Sequence, residues 1–159
     1  MSRAIAGTDL QWWLEIAFQG NRDALRFASL MVEAAGLWDD LIDKDQVIPP
    51  EEINRIMERL FVELPLNRFY SENFLALHPL IVAGILGWRA SCELERTGAP
   101  HDLELAYGLR YTAAHILAQA ALICHGGDID RIMGILPDIY RRIMPERMEE
   151  YVNGIKDRQ

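Results

Sequence analysis

Residues 22–44 read RDALRFASLMVEAAGLWDDLIDK, and polar and apolar side chains alternate along them with the period of an α-helix. At 100° per residue, the charged side chains gather on one face and the large apolar side chains gather on the opposite face. This pattern predicts a long amphipathic helix that buries one face against other elements. The polar face comprises Arg22, Arg26, Ser29, Glu33, Asp40 and Lys44, and the apolar face comprises Phe27, Leu30, Met31, Ala34, Trp38, Leu41 and Ile42.

Capping residues, glycines and prolines divide the rest of the chain into further predicted helices. Polar side chains can cap the first turn, proline suits the first helical position, and glycine commonly follows the last turn. The fifth predicted helix is apolar nearly all round in its second half, which predicts a central position in the bundle. The predicted elements are a first helix from Thr8 or Asp9 to Gly20, a second capped by Asn21, a third from Pro50 to Pro65, a loop over 66–70 before a cap at Ser71, a fourth from Pro79 to Thr97, a fifth over about 102–125 and a sixth capped by Asp128.

The composition agrees with a folded all-α protein. The chain has 159 residues, half of them hydrophobic and a quarter charged, which excludes intrinsic disorder and a disulfide scaffold. It contains no alternating run of β-branched residues and no Asn-Gly hairpin turn. We therefore expect residues 1–159 to form a single all-α domain, a bundle of about six helices.

The net charge of −8 argues against nucleic acid and anionic membranes as partners. The charge is unevenly distributed, because residues 33–63 carry nine acidic side chains against three basic ones. Most of the net charge therefore belongs to one short segment, and functional hypotheses start there.

The sequence predicts a cytoplasmic protein without a membrane span. The N-terminus lacks the pattern of a signal peptide, and Cys92 and Cys124 stand alone among apolar neighbours. Two apolar stretches, 75–88 and 112–124, are each interrupted by polar residues or proline. Both are shorter than the roughly 18 residues that a span requires, so both are expected to be core helices.

The acidic stretch WDDLIDKD at 38–45 is the most unusual feature of the sequence. Acidic residues in the last turn of a helix oppose its dipole at a cost of about 0.3–1 kcal/mol each, and they repel one another. Four such residues suggest either a solvated or capping role, a contact surface for a basic partner, or a metal site. The residues of the contact surface would be Asp39, Asp40, Asp43 and Asp45.

The Asp-Asp-x-x-Asp pattern at Asp39, Asp40 and Asp43 resembles the first aspartate-rich motif of the trans-prenyltransferases and terpene synthases. In that family the motif holds Mg²⁺ against a diphosphate group, so the resemblance implies these three aspartates as metal ligands. The match covers about five residues, no second aspartate-rich motif follows, and the chain is about half the family's length. Under this alternative, Arg110 or Arg89 would help to bind the phosphates.

Three polar side chains interrupt the apolar fifth helix at helical spacing. Thr112, His115 and Gln119 recur at three and four residues, which predicts a polar stripe within the core. If the stripe faced the second helix, His115 could bind one of the aspartates. Bonds among the three side chains, or to the backbone, would also satisfy them.

Three stretches look like parts of small helical proteins encoded by tailed bacteriophages and prophages. They are residues 37–45, residues 64–70, and Trp88 together with residues 93–95. The resemblance spans roughly residues 25–125 and carries no activity. It implies an accessory, virion-associated or host-interaction protein in the cytoplasm of a bacterial host.

Two functional hypotheses follow from the sequence. The first is a non-enzymatic helical interaction protein, binding a protein partner or its own copies, with an acidic recognition surface around residues 33–63 and no cofactor. The alternative is a Mg²⁺-dependent enzyme that acts on a phosphorylated or diphosphate small molecule through Asp39, Asp40 and Asp43.

Overall fold

The computed structural model describes residues 9–44, 46–144 and 146–158. Within these ranges every regular element is helical, which confirms the all-α prediction. The helices are α1 (Asp9–Trp12), α2 (Arg22–Asp43), α3 (Pro50–Glu58), α4 (Leu64–Leu66), α5 (Arg68–Glu72), α6 (Phe74–Thr97), α7 (Pro100–Arg110), α8 (Ala113–Cys124), α9 (Ile129–Met133), α10 (Leu136–Ile143) and α11 (Met148–Arg158), with π-helical turns at Trp13–Ala17 and Arg59–Glu63.

The ends of α2 follow the sequence prediction closely. The Asn21 side chain accepts hydrogen bonds from the backbone N–H groups of Asp23 and Ala24, as an N-cap does. At the other end Lys44 adopts a left-handed conformation, and its N–H bonds to the carbonyl of Asp40.

The segment between Pro65 and Pro79 is more helical than predicted. Asn67, not Ser71, caps a helix there, because its side chain accepts a hydrogen bond from the N–H of Tyr70. The predicted loop over 66–70 is therefore largely helix α5. Likewise α6 begins at Phe74 and contains Pro79, which does not start the helix. Pro79 is exposed, so water can replace the hydrogen bond that it cannot donate.

The predicted fifth helix is divided in two at Tyr111 and Thr112. The Tyr111 hydroxyl donates to the Glu146 carboxylate, whereas the Thr112 hydroxyl donates to the carbonyl of Gly84 in α6. The second half is α8, whose residues Ala114, Leu117 and Ala120 are fully buried. The prediction that this half is central is confirmed.

Buried side chains of the described residues form two clusters. The larger cluster joins α2, α6 and α8 with the aromatic side chains of Trp13, Phe18 and Phe27. The smaller one packs α7 against α11 through Leu103, Ala106, Tyr151 and Ile155. Residues from both ends of the described chain therefore contribute to the core.

Helix α6 differs from the prediction that it is a core helix. Only 11% of its most apolar 18-residue window is buried. Among the described residues it is the one helix long and apolar enough to cross a membrane, and a single helix of this kind does not establish a span. The helix is continuous through His78 and Pro79, the two residues that interrupt this apolar stretch in the sequence.

Candidate functional site

Arg110, the last residue of α7, lies at the centre of a buried ionic cluster. Its side chain is only 8% exposed. One terminal nitrogen, Nη2, donates to Asp39 Oδ1 and, at 3.1 Å, to Asp43 Oδ2. The other, Nη1, donates to Glu95 of α6. We call Arg110, Asp39, Asp43 and Glu95 the Arg110 cluster.

Aromatic side chains hold the carboxylates of the Arg110 cluster in place. Trp88 Nε1 donates to Asp39 Oδ1 at 3.3 Å, and the hydroxyl of Tyr151 donates to Glu95 Oε1. The guanidinium group of Arg110 also lies over the ring of Tyr151, 5.8 Å from its centroid. The cluster thus links α2, α6, α7 and α11.

Charge in this cluster is unbalanced, since one guanidinium group faces three carboxylates. Burial alone would lower the pKa of Arg110, but the attraction of Asp39, Glu95 and Asp43 outweighs it and raises that pKa. Burial and the hydrogen bond to Glu95 likewise raise the pKa of Tyr151. Arg110 therefore remains charged, and the Tyr151 phenol remains neutral, throughout the physiological pH range.

The Arg110 cluster explains why α2 ends in acidic residues. Asp39 and Asp43 face inward and bind a cation that α7 supplies, which compensates for their unfavourable position in the helix dipole. Asp40 is buried, with 7% of its surface exposed. The expectation of an open acidic surface therefore does not describe these three residues, and Asp45 lies outside the described residues.

The acidic segment is also partly neutralised between α2 and α3. Glu33 accepts hydrogen bonds from Arg55 at 2.8 Å and from Arg59 at 2.6 Å, and Arg59 also pairs with Glu63. The two ion pairs of Glu33 join α2 to α3 and to the π-helical turn that follows α3. Much of the charge concentrated in residues 33–63 is thus used within the fold, and whether the segment takes part in recognition stays a prediction.

The geometry gives no particular support to a magnesium site. Within the described ranges, no three side chains of histidine, cysteine, aspartate or glutamate are grouped as metal ligands. Arg110 is close to the aspartates, as the enzyme hypothesis required of a cationic residue, but it binds the carboxylates themselves. Arg89 lies exposed on α6. The Mg²⁺-dependent hypothesis stays a prediction.

The three polar residues Thr112, His115 and Gln119 do not form a common stripe facing α2. Thr112 precedes α8 and bonds to Gly84 of α6, whereas His115 is exposed and its Nδ1 lies 2.7 Å from the hydroxyl of Tyr140 in α10. Gln119 is half-buried. The helix break leaves Thr112 outside α8, whereas His115 and Gln119 keep helical spacing within that helix.

An apolar cavity of about 410 Å³ adjoins the Arg110 cluster. The rings of Trp38 and Trp88 lie against each other in its wall, with their centroids 4.4 Å apart. Met57 and Ile85, from α3 and α6, also line the cavity and are partly exposed. Leu41 of α2 lines the cavity with similar exposure, so the cavity is open to solvent.

A second feature is the exposed apolar face of α6. Leu75 is 88% exposed and Leu86 is 62% exposed, and Val82 lies between them. We call Leu75, Val82 and Leu86, together with the exposed alanines Ala76, Ala83 and Ala90, the α6 face.

Sequence reasoning missed the roles of Glu95 and of the α6 face. Glu95 has the ordinary sequence context of a charged residue near a helix end, and no periodicity links it to Arg110, which is 15 residues away. For the α6 face a signal existed, because residues 73–88 contain no Asp, Glu, Lys or Arg over four helical turns. A helix in the core would carry the same signal, so the sequence does not distinguish the two.

Comparison with known proteins identifies no relative. No family model, no curated protein and no solved structure matches the chain.

Proposed function

We propose that the protein is a non-enzymatic helical interaction protein that self-associates through the α6 face. The observation that carries this proposal is the exposure of large apolar side chains along a helix that belongs to the fold. Contiguous exposed apolar surface on a folded protein generally marks a contact site.

The chemistry of the α6 face favours a second copy of the chain as its partner. In a twofold interface the same patch meets itself, so an uncharged apolar patch is complementary to its own copy. A like-charged patch would repel its copy, but the segment 73–88 has no Asp, Glu, Lys or Arg. Burying Leu75 and Leu86 in this way would remove about 1.5–3 kcal/mol of unfavourable exposure for each side chain.

The spacing of the alanines suits a helix–helix contact. Ala76, Ala83 and Ala90 recur every seven residues on the exposed side of α6. A seven-residue repeat keeps one seam of a helix against a partner helix when the two cross at a shallow angle. Small side chains at each repeat allow a close approach, with Leu75, Val82 and Leu86 packing beside the seam.

The contacts that hold α6 in the bundle favour a protein partner over insertion into a membrane. Glu95 binds Arg110, and the Thr112 hydroxyl binds the carbonyl of Gly84. Insertion of α6 would break both contacts and leave the buried Arg110 cluster incomplete. A contact on the exposed face leaves both intact.

Charge substitution on the α6 face tests the proposal. We expect the full chain to sediment as a dimer at micromolar concentration and the double variant Leu75→Glu/Leu86→Glu to sediment as a monomer, because the new carboxylates of both chains would be buried in the interface. The measurement is analytical ultracentrifugation, with circular dichroism to confirm that the variant is folded.

A matched control places the same charges elsewhere. Leu105→Glu/Ile129→Glu changes two exposed apolar residues on α7 and α9 and should leave the dimer intact. A wild-type chain that is monomeric at 100 µM would contradict the proposal. Flotation of the wild-type chain, but not of the Leu75→Glu/Leu86→Glu variant, with lipid vesicles would assign the α6 face to a membrane surface instead.

A further inference from the structure

We infer that the cavity between α2, α3 and α6 is a binding site for a small, uncharged, apolar molecule. Its volume of about 410 Å³ lies within the range of small-molecule sites, which are mostly apolar and number few per protein. The site is distinct from the α6 face, because Leu75, Val82 and Leu86 do not line it.

Three polar side chains of the cavity wall, those of Trp88, Thr112 and Arg110, already have protein partners, and this limits the polarity of the ligand. Trp88 Nε1 donates to Asp39, and the Thr112 hydroxyl donates to the carbonyl of Gly84. Arg110 donates to the carboxylates of its own cluster. A polar group of a ligand that faced these three side chains would have to break one of these bonds or lie buried without a partner, and both are unfavourable.

The charge around Arg110 excludes an anion in particular. Three carboxylates already bind its guanidinium group, so an anionic headgroup approaching Arg110 would have to compete with all three of them. The described residues that line the cavity include no carboxylate, so a cation finds no direct partner there either. An uncharged ligand avoids both costs.

The shape of the wall suits a flat or flexible hydrocarbon group. Trp38 and Trp88 offer large aromatic surfaces, while Met31 and Met57 can adapt to the outline of a ligand. Leu41, Met57 and Ile85 of the wall are partly exposed, so a ligand could enter without unfolding of the bundle.

Fluorescence titration with N-phenyl-1-naphthylamine, an uncharged apolar probe, tests the inference. We expect one probe molecule to bind per chain. Because the cavity disfavours charge, 1-decanol should displace the probe at a concentration at least about tenfold lower than decanoate does. Equal or better displacement by decanoate would overturn the assignment of an uncharged ligand.

Variants that fill the cavity locate the binding site. Ala34→Phe adds a ring at a residue that lines the cavity, and Ala113→Leu is a milder change of the same kind. Each should weaken probe binding about tenfold or more, whereas Leu105→Phe, an exposed position on α7, should not. Circular dichroism checks that each variant is folded. Unchanged binding in both folded cavity variants would overturn the inference.

The same titration on Leu75→Glu/Leu86→Glu separates this site from self-association. The inference predicts unchanged probe binding in this variant, because neither residue lines the cavity. Loss of probe binding here, with retention in Ala34→Phe, would place the probe on the α6 face and refute a cavity site.

Discussion

The side chain of Arg110 changes the interpretation of the acidic motif at the end of α2. Acidic residues at the end of α2 suggested a metal site or an acidic surface, because no compensating charge was near in the sequence. The compensating charge comes from α7 and Glu95 joins from α6, so that Asp39 and Asp43 become parts of a buried ionic cluster. The acidic motif therefore has a structural role whatever further role it has.

Removal of the cation is expected to destabilise the protein strongly. Arg110→Ala leaves Asp39, Asp43 and Glu95 largely buried without their shared partner, and loss of one member of a buried ion pair typically costs about 3–5 kcal/mol. We expect a decrease of this size in the free energy of unfolding at pH 7.5, measured by urea denaturation.

An exposed arginine provides the control for this substitution. Arg96 pairs with Glu93 on the surface of α6, with 72% of its side chain exposed. Arg96→Ala should change the free energy of unfolding by less than about 0.5 kcal/mol. If the two variants lost similar amounts of stability, the Arg110 cluster would not have the importance assigned to it.

At the level of elements, the contact between α6 and the α7–α8 junction depends on two glycines. A Cβ atom at Gly87 would lie 3.0 Å from Thr112 Cγ2, and one at Gly84 would lie 3.2 Å from Thr112 Oγ1. The α7–α8 junction can therefore come this close to α6 only at Gly84 and Gly87, where α6 has no side chain. Thr112 in turn fixes the junction through its hydrogen bond to the carbonyl of Gly84.

Alanine substitutions at two helical glycines should have different effects. Gly108 on α7 has open space around its Cβ position, so Gly108→Ala should stabilise the protein by about 0.5–1 kcal/mol through helix propensity. Gly87→Ala gains the same propensity but is overpacked against Thr112, so it should be about 1–3 kcal/mol less stable than Gly108→Ala. Thermal and urea denaturation measure the difference.

Removal of the methyl group that the added Cβ atom would meet should relieve the effect. Thr112→Ser keeps the hydroxyl and deletes Cγ2, so Gly87→Ala should cost less in the Thr112→Ser background than in the wild type. Equal gains from Gly87→Ala and Gly108→Ala would show that the close approach does not constrain α6.

For the whole molecule, net charge and the apolar α6 face have opposite effects on self-association. Each chain carries a net charge of −8, so two copies repel each other at long range. The proposed contact itself is apolar and does not depend on opposite charges. Because salt screens the repulsion and leaves the apolar contact in place, the stability of the dimer should depend on ionic strength.

Added salt is expected to strengthen the dimer. An increase of NaCl from 20 to 500 mM screens the repulsion between chains and should lower the dimer dissociation constant by roughly threefold or more, measured by sedimentation equilibrium. If the chains associated instead through binding of the acidic segment to a basic surface, added salt would weaken the dimer. A dimer that weakened as salt increased would therefore point to residues 33–63 and not to the α6 face.

Much of the local structure could be predicted because its causes are local. The Asn21 cap, the amphipathic pattern of α2 and the apolar sequence of α8 each depend on residues within a few turns of one another. The Ser71 cap was wrong for a related reason, since Asn67 is an equally good local candidate and also donates through Nδ2 to the carbonyl of Asp23. Ser71 has no such tertiary bond among those described, since its hydroxyl donates to the nearby carbonyl of Arg68.

The amino-acid sequence alone determined that the chain is helical, where most of its helices lie and that its charge is concentrated near the end of α2. The tertiary structure decided that Arg110 meets Asp39 and Asp43, which lie 71 and 67 residues away along the chain, and that α6 keeps an apolar face in solvent. The physical reason is that helix propensity and capping act over a few residues. Which face of a helix is covered, and which charges meet, depends on the neighbours that packing supplies.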